Sequence, residues 1–98
     1  MAKPHIDATS FASLPSAMGQ DATGTVTGTG IKDKDPVAIR SKTTSKKWAG
    51  EITGHASGNI YNAKVRRVHE GHGTETVGVT VTNNEGASNE KETTSNVP

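Results

Sequence analysis

Residues 76–82 read Thr-Val-Gly-Val-Thr-Val-Thr. A period of two puts Val77, Val79 and Val81 on one face of a strand, and no helix can do so. The same chemistry runs through the chain. It holds eight Val and five Ile against a single Leu, with 14 Thr. β-branched side chains are stiff at χ1 and pack well on a pleated surface. Eleven Gly and six Asn supply the turns. The fold class predicted is all-β.

Alternation marks the strands. Residues 23–31 alternate Thr/Val/Gly, and 37–40 place Val37 and Ile39 inward. Trp48, Gly50 and Ile52 share one parity. Residues 60–68 put Tyr61, Ala63 and Val65 on one side, with Asn62, Lys64 and Arg66 on the other. Arg67 has the parity of the inward set, so we expect a bend or a sheet end to release it to water. Residues 87–94 form a polar edge strand whose charges discourage aggregation. Six to seven short strands at this spacing predict a small β-sandwich or barrel, the sandwich preferred, over residues 23–94, with a tail at 95–98.

Residues 1–22 differ. They hold Pro4 and Pro15 and isolated apolar residues at Ile6, Phe11, Leu14 and Met18. We expect an extended N-terminal arm with at most one helical turn near 15–18. Those four side chains are its candidate assembly contacts.

The core is thin. Of 98 residues 30% are hydrophobic, and ten of those are Ala. At roughly 25 cal/mol per Å² such a core barely offsets the ordering entropy. A large enclosed active site is not expected, and partners would add buried surface. The absence of Cys excludes disulfides and thiol chemistry. Residues 1–7 lack the apolar region of a secretory signal, and no apolar run approaches the length of a membrane span. The chain is therefore expected to be made in a cytoplasm, without membrane contact.

The segments Thr25-Val26-Thr27-Gly28-Thr29-Gly30-Ile31, Val37-Ala38-Ile39 and the run from Val77 to Ser88 resemble immunoglobulin-like modules of the IPT/TIG kind. Bacteriophage virion and bacterial surface proteins carry such modules. The resemblance covers residues 23–92. The basic loop at 40–47 and the strand around Arg66 and Arg67 depart from it. It implies an Ig-like sandwich used for contact and brings no catalytic residues.

No catalytic, cofactor or metal residues are assigned. His69 and His72 stand three apart in a Gly-containing turn, with His55 elsewhere, and read as solvated. The Gly at 24, 28 and 30 lack the Gly-Lys-Ser/Thr of a phosphate loop. Charge is more informative. Residues 32–67 carry +6, residues 68–98 carry −4 and residues 1–31 carry −1. A chain so divided can pair with itself or with a neighbour. Arg40, Lys42, Lys46, Lys47 and Arg66 are the candidate charged contacts.

These readings predict a non-enzymatic binding module docking on protein subunits of a larger assembly. A phage capsid decoration or cement protein, or a neck or tail component, fits best, and homo-oligomers are compatible with it. The alternatives are a carbohydrate or cell-surface binding module using Trp48, Tyr61 or Phe11, and a β nucleic-acid-binding domain.

Overall fold

The alternation seen in the sequence becomes eight strands in a computed structural model, which describes residues 3–11, 14, 19–42, 47–67 and 73–97. They are β1 (His5–Ser10), β2 (Asp21–Thr29), β3 (Pro36–Ser41), β4 (Lys47–Ser57), β5 (Ile60–Arg67), β6 (Gly73–Asn83), β7 (Gly86–Ala87) and β8 (Lys91–Val97). No helix occurs among the described residues.

All strand pairs are antiparallel. The order is β1-β2-β5-β4-β3-β6, with β8 and the short β7 both on the far side of β6. The strand spacing allowed a sandwich of two packed sheets or a small barrel. The ladder follows one path through a single curled sheet. The molecule measures 37 × 21 × 19 Å.

The curl brings the two edges together. Asn89 reaches across to β1, accepting a hydrogen bond from the Ile6 N–H at 2.9 Å and donating one to the Ile6 carbonyl at 3.0 Å. The Ser95 hydroxyl donates to the Phe11 carbonyl. Ile6 is thus beside Asn89 and Phe11 beside Ser95, so β1 and β8 run the same way. Direction forces this. Seven strands alternating along one path must end with first and last parallel. That odd junction is joined by side chains, where every other pair has a ladder.

The inward parities are those the sequence implied. Val26, Val37, Ile39, Trp48, Ile52, Ala63, Val65, Val77, Val79 and Val81 line one core, each at most 1% exposed. Arg67 departs from expectation. It stays inside at 1% exposure, with its guanidinium over the Trp48 ring. Trp48 and Arg67 are cross-strand partners, so the aromatic face supplies a cation site without any strand bend.

The N-terminal segment also departs from expectation. Residues 5–10 are a strand paired with β2, with a bulge between Ile6 and Ala8. Ile6, Phe11 and Leu14 are buried in this chain's own core. Met18 and the turn expected near 15–18 lie outside the described residues. The thin core explains the recruitment. Three large side chains near the N-terminus complete the apolar cluster that the later strands begin. Gly24 makes room for one of them: a Cβ there would meet Phe11 Cε1 at 2.6 Å.

Candidate contact surface

The outer face of the sheet carries the charged candidates. On β5, Lys64 and Arg66 stand two apart and project from the same face. Asp21, at the start of β2, lies between them. Arg66 Nε donates to Asp21 Oδ1 at 2.9 Å, and Lys64 Nζ stands 3.4 Å from Oδ2. The Arg66 hydrogen bond holds the Asp21 carboxyl below its ordinary value, and Lys64 adds to it.

A second clamp repeats the pattern. Arg40 on β3 and Lys42 just after it share Glu90. Arg40 binds both carboxylate oxygens, Nε at 2.7 Å and one terminal nitrogen at 3.1 Å. Lys42 also binds Glu90, and its Nζ is 3.7 Å from Glu92. Arg40 and then Lys42 hold the Glu90 carboxyl low. Gly78 permits this geometry. It pairs with Arg40, and a Cβ there would meet Glu90 Cγ at 2.5 Å. The Glu90 side chain therefore lies across the bare backbone of β6.

The basic and acidic halves of the sequence thus meet within one chain. Arg40, Lys42 and Arg66 are spent on internal ion pairs. Lys47 is exposed on β4 at the rim of a shallow groove of about 380 Å³, floored by Ala38, Ala49 and Gly78. Lys46 lies outside the described residues.

The β4–β5 hairpin tip was not singled out in the sequence. Residues 55–60 are exposed throughout, and Ile60 is 39% exposed. It is the one exposed large hydrophobic residue among the described residues. Beside it the His55 and Tyr61 rings lie 5.0 Å apart, tilted by 46°. His55 Nε2 meets the Gly58 carbonyl, which pins the ring to the turn. The outward parity of residue 60 was the available signal. It places an Ile where the neighbouring outward positions are polar.

His69 and His72 lie outside the described residues. Among the described residues no group of three or more His, Asp or Glu could hold a metal ion. The aromatic residues considered for carbohydrate are mostly interior, since Trp48 and Phe11 are each 1% exposed. No protein-family model matches the chain, and no curated protein matches it.

Proposed function

We propose that this chain is a non-enzymatic contact module that docks on a larger protein assembly, as a bacteriophage virion accessory protein of the decoration, neck or tail kind. The observation that carries this reading is the hairpin tip. Among the described residues the fold draws the other large apolar side chains into or against one core, yet leaves Ile60 exposed beside the His55–Tyr61 pair. A lone exposed Ile is unremarkable in a protein rich in apolar residues. Here it stands at the apex of a hairpin whose rings are already held in place. The likeness of residues 23–92 to IPT/TIG contact modules belongs to the same reading.

The carbohydrate alternative gains little from a buried Trp48 and Phe11. The nucleic-acid alternative would require phosphate to displace Asp21 and Glu90 from their clamps.

The test is native mass measurement of the assembly that contains this chain, with wild type and Ile60→Asp compared. We expect multiple copies on a large particle and several-fold lower occupancy for the variant. Recovery of wild type only as a free chain would overturn the reading, as would equal occupancy of the variant. Unchanged circular dichroism of the variant serves as the folding control.

A further inference from the structure

We propose that β1, with its trailing anchors Phe11 and Leu14, is an exchangeable strand that seats equally well on a second copy of this chain. The inference is independent of the hairpin reading above.

Four features carry it. First, β1 has a ladder on one side only, with β2, and a bulge interrupts that ladder. Second, its other side is held by the Asn89 and Ser95 side chains. Freeing the strand breaks those bonds and its own ladder with β2, and leaves every other strand pair intact. Third, Leu14 travels with β1 as an anchor, so residues 15–20 are the linker to β2, slightly longer than the about two to five residues that suffice for a hairpin. A linker that is not a tight turn allows β1 to cross to a neighbour. It includes Gly19 at φ +81°, beside which a Cβ would meet nothing.

The fourth feature names the occupant. The cleft left by β1 is shaped for this chain's own residues 5–11 and Leu14. Gly24 accepts the Phe11 ring, and Gly28 accepts the His5 backbone, whose carbonyl carbon would lie 3.0 Å from a Cβ. Ile6, Phe11 and Leu14 fill the apolar space behind. A strand of another sequence would lack these anchors at these spacings. A second copy supplies them by identity, and it offers the same cleft in return.

The exchanged form makes the same contacts as the closed one, so protein concentration sets the balance. Opening is the slow step, and Asn89 guards it.

The absence of native Cys allows a direct test. Ser10 and Thr25 are register partners, as are Ala8 and Thr27. The full chain is made with Ser10→Cys and Thr25→Cys, and separately with Ala8→Cys and Thr27→Cys. Each is unfolded, refolded at high and low concentration, oxidised and sized. Refolding at high concentration should give dimers bridged between chains, whereas dilute refolding should give monomers bridged within one chain. A chain that stays monomeric at every concentration overturns the proposal, as does a dimer lacking the intermolecular bridge in both pairs. Asn89→Ala should speed subunit mixing of two differently tagged dimer populations roughly tenfold, as expected for two lost hydrogen bonds. An unchanged mixing rate would also overturn it.

Discussion

The guanidinium carbon of Arg67 lies 5.1 Å from the centre of the Trp48 ring, and both residues are 1% exposed. Cross-strand pairing of β4 with β5 sets them side by side. Desolvation strengthens such a contact, to about 2 kcal/mol or more. A double-mutant cycle with Trp48→Phe and Arg67→Met should therefore give a coupling of about 0.5–2 kcal/mol in urea unfolding. Additive effects would show that the two do not interact. Trp48 is the sole Trp, so its native emission should be blue-shifted and shielded from iodide.

Gly24 and Phe11 form a second pair whose sizes must match. Gly24→Ala pushes a methyl group into the Phe11 ring and towards the Ser10 carbonyl. The cost should be about 1–3 kcal/mol of unfolding free energy, as for overpacked cores. Adding Phe11→Leu to Gly24→Ala should recover part of it. Full additivity of the two losses in chemical denaturation would count against the packing described.

Acid should weaken the fold through the two clamps. Asp21 and Glu90 titrate lower in the folded chain than when unfolded. Their contribution is therefore complete above the ordinary carboxylate range. It is lost as pH falls from about 5 through the lowered folded values. Urea midpoints measured from pH 7 to pH 3 should drop across that window. Glu90→Gln should flatten the drop while lowering the pH 7 midpoint only modestly, because the pair is partly exposed to solvent.

Gly78→Ala tests the same clamp from the backbone side. A methyl group there meets the flexible Glu90 side chain, which can swing away. The variant should lose less than about 1 kcal/mol at pH 7, since surface pairs contribute little. It should also lose the Glu90 share of the acid dependence. A severe loss of stability at pH 7 would mean that Glu90 cannot move.

Much of the sheet is legible in the alternation of the sequence. Val37 and Ile39, Trp48 and Ile52, and Val77 to Val81 point inward as their parity requires. β1 escaped because His5–Ser10 carries one large apolar residue, and its bulge breaks the alternation. The parity of Arg67 was visible, but the Trp48 ring that makes burial tolerable becomes its neighbour only through β4–β5 register. Pairing of the basic and acidic halves was one of two outcomes the charge division allowed. Which residues paired was not legible, because Arg40 and Glu90 are 50 positions apart and meet only in the curled sheet.

The junction of β1 with β8 also sets the order in which the fold can finish during synthesis. Ile6, Phe11 and Leu14 leave the ribosome early, whereas Asn89 and Ser95 follow only after about eighty more residues, at roughly 5–20 residues per second. For those seconds the first strand has no latch on its far side. Neighbouring nascent chains on one message would hold such unlatched strands close together. Under the strand exchange proposed above, pairing between copies would begin before any chain has been released.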